Sequence, residues 1–138
     1  MALTCIDATG AGDISESGVV WRYTDINRSL STVSVADGLV YVTDLPGTLH
    51  CVDAETGERV WTQELGSDVW GSTLCADGKV YVGTEAGQLW IMKAGREKEV
   101  YSTVSLGAPM YTTPVAANGT LYVATGRHLH AVAIAGEG

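Results

Sequence analysis

The chain has 138 residues, 46% of them hydrophobic, enough for one domain that buries roughly two thirds of the surface its unfolded form exposes, and this excludes a disordered chain. Its net charge of −8 and pI near 4.6, with only eight scattered Lys and Arg, exclude nucleic acid as a partner class, because counterion release needs clustered basic residues; anionic membrane surfaces are disfavoured on the same ground. No apolar run approaches the ~20 residues that cross a bilayer, so no membrane insertion is expected, and 17 glycines with no phenylalanine predict many tight turns around a core of Val, Leu and Ala.

Taken in chain order, the N-terminal MALTCIDATG has neither a basic nor an apolar leader region, and no signal peptide is expected. Residues 3–8, LTCIDA, and Val19–Tyr23, VVWRY, read as two strands. Ser31–Ala36 is the next, followed by the two-residue hairpin turn Asp37-Gly38, a pair that tolerates positive φ. Leu39–Thr43, the Pro46-Gly47 turn, Thr48–Ala54, the Glu55-Thr56-Gly57 turn and Arg59–Leu65 complete four strands. The second of them, LVYVT, is apolar and β-branched on both faces, which predicts burial on both. Gly71–Leu106 repeats the set, and Thr112–Ile134 supplies its first three strands again. No segment shows a helical period.

The repetition is regular. Asp37, Asp77 and Asn118 each precede a glycine at spacings of 40 and 41; Tyr41, Tyr81 and Tyr122 follow at the same spacings. Leu49, Leu89 and Leu129, and likewise Trp21, Trp61 and Tyr101, are 40 apart. The units are 1–27 (strands three and four), 28–67, 68–107 and 108–138 (strands one to three). A four-stranded antiparallel sheet buried on both faces must lie between two others like itself, and repetition of such sheets about an axis is a β-propeller. The fold class is therefore all-β, a partial propeller of about three blades.

VYVGTEAGQLW and LHCVDAETGERVW carry a further signal: a hairpin glycine, VYV, a second glycine turn, L-x-x-x-D-A-x-T-G and then tryptophan. This pattern resembles the repeats of PQQ-like β-propellers, quinoprotein-type proteins of eight blades, and the likeness covers nearly the whole chain. It is similar to large secreted repeat proteins of planctomycete-like bacteria, and to the broad group that includes the non-enzymatic lipoprotein of the outer-membrane barrel-assembly machinery. The resemblance implies that Trp21 and Trp61 dock one blade on the next, with Tyr101 in that place in the following unit. It also implies a periplasmic or secreted location if the chain is part of a longer family member.

Three blades are too few to close a ring, and an open arc exposes two apolar sheet faces. VVWRY is in position to complete the last blade as its fourth strand, leaving LTCIDA over. Two copies would then close a six-bladed ring with two-fold symmetry; in the alternative, the missing blades belong to a larger polypeptide. The expected partners are thus the chain itself, as a homo-oligomer with a dimer favoured, or the rest of a longer chain.

Catalytic chemistry finds little support in the residues. The PQQ enzymes that the repeats resemble need a cofactor-stacking tryptophan, a calcium site of Glu, Asn and Asp, and a catalytic Asp. Here Asp53, Glu55, Glu58 and Glu64 fall at turns and edges of the repeat, so no cofactor and no catalytic residue is assigned. His128 and His130 share one strand face, but His130 aligns with His50 and Trp90, a packing position, and no metal site is assigned. Cys5, Cys51 and Cys75 lack CxxC spacing, which argues against a disulfide framework or a zinc site. Asn118-Gly119-Thr120 matches a glycosylation sequon but aligns with the Asp-Gly hairpins, and reads as a turn. The best functional signal is Leu30, Trp70 and Tyr111, aligned just before strand one at spacings of 40 and 41, where a propeller has a channel mouth. An aromatic pair there suits a protein or glycan ligand, with Arg28 and Arg22 beside it for an anionic group. The reading is a non-catalytic propeller scaffold or binding module. The alternatives are the C-terminal part of a quinoprotein-type oxidoreductase and a carbohydrate-associated binding protein.

Overall fold

The computed structural model describes residues 1–133; the expected end of the last strand at Ile134, and the rest of the 108–138 unit, lie outside the described residues. The described residues form thirteen strands and no helix. Strands β1 (Leu3–Ile6) and β2 (Val19–Tyr23) make the first sheet. β3 (Ser34–Ala36), β4 (Leu39–Thr43), β5 (Thr48–Asp53) and β6 (Arg59–Glu64) make the second. The third is β7 (Leu74–Ala76), β8 (Lys79–Gly83), β9 (Gln88–Lys93) and β10 (Val100–Ser105), and the fourth is β11 (Val115–Ala117), β12 (Thr120–Ala124) and β13 (Leu129–Ala133). Within each sheet the strands pair antiparallel in sequence order.

Two expectations change. The structure pairs β2 with β1 and not with β13, so VVWRY does not complete the last sheet. Its apolar residues Trp21 and Tyr23 pack on Val40, Val42 and Val52 of the second sheet, at the other end of the stack from β13. Strand one is also shorter than expected, beginning at Ser34. The backbone ahead of it is held by side chains instead: Ser31 N–H donates to Ser29 Oγ at 3.1 Å and Thr32 N–H to Ser72 Oγ at 2.7 Å.

The hairpins have the expected chemistry. Asp37, Asp77 and Asn118 have φ near +50°, and the glycine after each is also positive. Two successive positive-φ residues make the turn whose twist matches that of the strands it joins.

Every residue of β4 is buried. Leu39, Tyr41, Leu49 and Cys51 face the third sheet and meet its Val80, Val82 and Met92, while Val40, Val42 and Val52 face the first. Leu89 and Met110 meet Val123 of the fourth sheet in the same way. Side chains alternating across a strand thus serve two interfaces at once. Tryptophan closes these interfaces. Trp21 Nε1 donates to Ala54 O at 2.9 Å, and Trp61 Nε1 to Gly95 O at 2.8 Å, each reaching the outer turn of the next sheet. The Trp21 ring lies so close to Gly57 that a Cβ there would stand 2.6 Å from it, and Gly57 has φ +76°. That turn needs glycine for its conformation and for the ring it carries.

Trp61→Ala is expected to cost about 3–5 kcal/mol through lost burial and the cavity left behind, read as a lower urea midpoint. Gly57→Ala should also destabilise, by displacing the Trp21 ring.

Candidate functional site

The loops that enter strand one of the second, third and fourth sheets are held by backbone hydrogen bonds. Leu45 N–H donates to Arg28 O at 2.7 Å, Glu85 N–H to Asp68 O at 2.8 Å and Gly126 N–H to Pro109 O at 2.8 Å. Each loop is therefore pinned to the β–β turn of the sheet it enters. Val69 N–H reaches back to Leu45 O at 3.0 Å, and Met110 N–H to Thr84 O at 3.1 Å, tying the loop to the preceding sheet as well. Neighbouring loops are stitched by hydroxyls, with Thr32 N–H on Ser72 Oγ and Ser72 N–H on Thr113 Oγ1, the latter at 2.9 Å.

This frame carries the aligned residues. Trp70 and Tyr111 come together, ring centroids 6.4 Å apart and edge to face, an attractive geometry for two rings. Trp70 Nε1 donates to Glu85 Oε2 at 2.7 Å, which fixes the indole against its own sheet's turn. Trp70 is 42% exposed and Tyr111 49%. A paired, oriented and half-exposed aromatic couple on a rigid frame is available for a ligand. Leu30 holds the equivalent position one loop earlier and is also exposed, as is Arg28; Arg22 lies exposed on β2.

Tyr101 does not occupy the place of Trp61. Trp21 faces Cys5 and Trp61 faces Cys51, but the residue facing Ile91, the counterpart of Cys51, is Ser102. Asp53 N–H reaches Glu58 O, whereas Lys93 N–H reaches Glu99 O, so this turn holds one more residue. Tyr101 is left as the unpaired residue of a bulge and is nearly half exposed. A slip of one residue changes the face a side chain serves, and spacing alone did not reveal it.

The sequence reading also missed a buried polar network. Asp44, 1% exposed, accepts from Thr48 N–H at 2.9 Å and from Asn27 N–H and Nδ2 at 3.2 Å each. His50 Nε2 lies 3.1 Å from Asp44 Oδ2, and His50 Nδ1 lies 2.9 Å from the Tyr23 hydroxyl of the first sheet. In the next two repeats Thr84 and Thr125 take the turn-capping role of Asp44 through Oγ1. The signal for the network was Asp44 itself, a carboxylate where the repeat otherwise has threonine. Burial pushes the Asp44 carboxyl up, but the hydrogen bonds from Thr48, His50 and Asn27 outweigh it and hold it below the ordinary value.

Other candidates have structural surroundings. Among the described residues no group of three or more His, Cys, Asp or Glu is placed to hold a metal. His128 and His130 lie edge to face with centroids 5.9 Å apart. Burial pushes the Cys51 thiol up to about 12. Asp53 is held down at about 2 by Arg96, which bridges to it from the next sheet's turn, and by N–H groups of its own turn. Asp44 is engaged within its own network by Thr48, Asn27 and His50.

A family model described as outer membrane protein assembly factor BamB matches residues 4–136. The quinohemoprotein alcohol dehydrogenase of Comamonas testosteroni is 32% identical over 109 residues, 70% of this chain and 15% of that protein. BamB of Burkholderia pseudomallei is 31% identical over 98 residues, 70% of this chain and 25% of that protein. The crystal structure of BamB from Moraxella catarrhalis superposes with a TM-score of 0.72 at 21% identity, over 85% of this chain and 37% of that one. The Comamonas testosteroni dehydrogenase structure gives 0.63 at 24% identity, over 73% and 18%. These structural likenesses show the fold. The chain spans at most about a quarter of the length of the curated relatives it matches.

Asp44→Asn is expected to cost about 2–3 kcal/mol near neutral pH, the loss of hydrogen bonds to a buried charge. Because the folded carboxyl is held below its ordinary value of 3.8, its contribution is present above that pH and is lost as pH falls through the folded value. The difference in urea stability between wild type and variant should therefore be constant at neutral pH and vanish in acid.

Proposed function

The chain belongs to the BamB family of PQQ-like β-propellers, and from that membership we propose that it is a non-catalytic scaffold whose channel rim holds a polypeptide segment. The observation that carries the reading is the Trp70–Tyr111 pair: two half-exposed rings held in contact by a stitched frame, in a repeat whose other aromatics are largely packed between sheets. Rigid aromatic rings offer large contact area at small entropic cost. Leu30 and Arg28 extend the same rim toward the preceding loop. The family is that of an outer membrane protein assembly factor, which favours a protein partner over a small substrate. The cell envelope is the compartment this reading implies.

The proposal includes the ends of the stack. Leu49 and Leu89 are buried by the following sheet, whereas Leu129 at the same position is 71% exposed. A further sheet, from a second copy or from a longer polypeptide, completes the arc. The second reading, part of a quinoprotein oxidoreductase, is favoured by the 32% identity to the alcohol dehydrogenase.

Trp70→Ala and Tyr111→Ala should each change stability by less than about 1 kcal/mol and weaken capture on a peptide array at least about tenfold. A glycan array that retains the wild type and not Trp70→Ala would assign the rim to sugars. Saturable binding of PQQ with calcium would favour the oxidoreductase reading, and light scattering would distinguish a dimer near twice the 14.5 kDa chain mass from an aggregating sample.

A further inference from the structure

The three sheet-to-sheet interfaces are not equivalent. In the first, Trp21 lies on Gly57 of the second sheet and donates to Ala54 O. In the second, Trp61 packs beside Tyr41, with centroids 6.1 Å apart, and donates to Gly95 O. Its ring belongs to one core cluster with Tyr41, Cys51, Val80 and Met92. In the third interface the registered residue is Ser102, which brings no ring.

The third interface contains an open cleft of about 470 Å³. Its walls among the described residues include Tyr81 and Ile91 of the third sheet and Leu121 and Val132 of the fourth. By register these are the counterparts of Tyr41, Cys51, Val80 and Met92: Tyr81 faces Ile91 as Tyr41 faces Cys51, and Leu121 faces Val132 as Val80 faces Met92. The four apolar wall residues that surround the indole in the second interface thus have counterparts in the third, where no indole stands among the described residues; the counterpart of the Gly95 turn lies outside the described residues. Asp77 and Asn118, in the turns of the β7–β8 and β11–β12 hairpins, also line the cleft, and each has a side-chain oxygen able to accept a hydrogen bond.

We propose that this cleft is a binding site for a planar aromatic ligand of the indole class, a flat apolar body carrying one N–H donor. The ligand chemistry is read from the molecule itself, which twice places such a ring between sheets with its N–H on a backbone carbonyl. Apolar cavities lined by aliphatic and aromatic side chains accept aromatic guests, and the volume lies within the range of small-molecule sites. The site is separate from the Trp70–Tyr111 rim and does not depend on what that rim binds.

The test is a titration of the full chain with indole, followed by amide chemical shifts and by Tm. Saturable shifts centred on Tyr81, Ile91, Leu121 and Val132, with a rise in Tm, are expected. Two variants close the cleft by different routes. Ser102→Trp supplies the missing ring directly. Deletion of Lys98 removes one residue from the β9–β10 turn and brings Tyr101 into register with Ile91. Each should lower indole affinity at least about tenfold and raise Tm without ligand. The proposal is overturned if the wild type shows no saturable shifts up to the solubility of indole, if the shifts centre elsewhere, or if folded variants bind as well as wild type. Should either variant fail to fold, the position of the shifts in the wild type decides the question.

Discussion

The structure depends on one arrangement, an indole from the outer strand of one sheet laid on the outer turn of the next. A sheet of short strands buries little on its own, and β4 is apolar on both faces, so it is stable only between neighbours. The tryptophan fixes how those neighbours meet, because its N–H must find a carbonyl in the adjacent turn once it leaves water. Gly57 is the reciprocal adaptation, a residue without a side chain where the ring arrives. Strand lengths, hairpin turns and the alternation of apolar residues all serve this stacking.

The inner side of the stack is organised by a different chemistry. There the strands are three residues long and the sheets are joined through hydroxyls and backbone amides: Thr32 to Ser72, Ser72 to Thr113, and Ser34 to Thr73. Hydrogen bonds have directions, which apolar packing lacks, so this inner lacing sets the spacing of the entry loops. The meeting of Trp70 and Tyr111 follows from it. Their loops are held together two residues downstream, by the Ser72 N–H on Thr113 Oγ1.

Much of this was legible in the sequence. The repeated Asp-Gly and Asn-Gly pairs located the hairpins, because few residue pairs accept positive φ at both positions. The doubly apolar LVYVT gave sheets buried on two sides, and the aligned Leu30, Trp70 and Tyr111 pointed to loop positions that are exposed. Other features were not legible, for identifiable reasons. Counting forty residues from Trp61 arrives at Tyr101, but an extra residue in the turn moves the structural equivalent to Ser102, and a turn can absorb an insertion without a mark in the strand pattern. The bond between Tyr23 and His50 joins residues of different repeats, and a periodic alignment compares positions without showing which of them touch. The pairing of β2 with β1 was likewise a choice between two edges that strand sequence alone does not rank.

The unequal covering of the four sheets has a consequence for motion. The second and third sheets have a neighbour on each side, whereas the fourth has one, and its β11 is exposed along its whole length. In a stack where each unit contacts only adjacent ones, opening proceeds inward from the least covered end. The aromatic pair straddles that gradient, with Trp70 on the loop entering a sheet that has described neighbours on both sides and Tyr111 on the loop entering one whose first strand is exposed. Anything that grips both rings acts as a clasp, lending the steadiness of the inner sheet to the outer one.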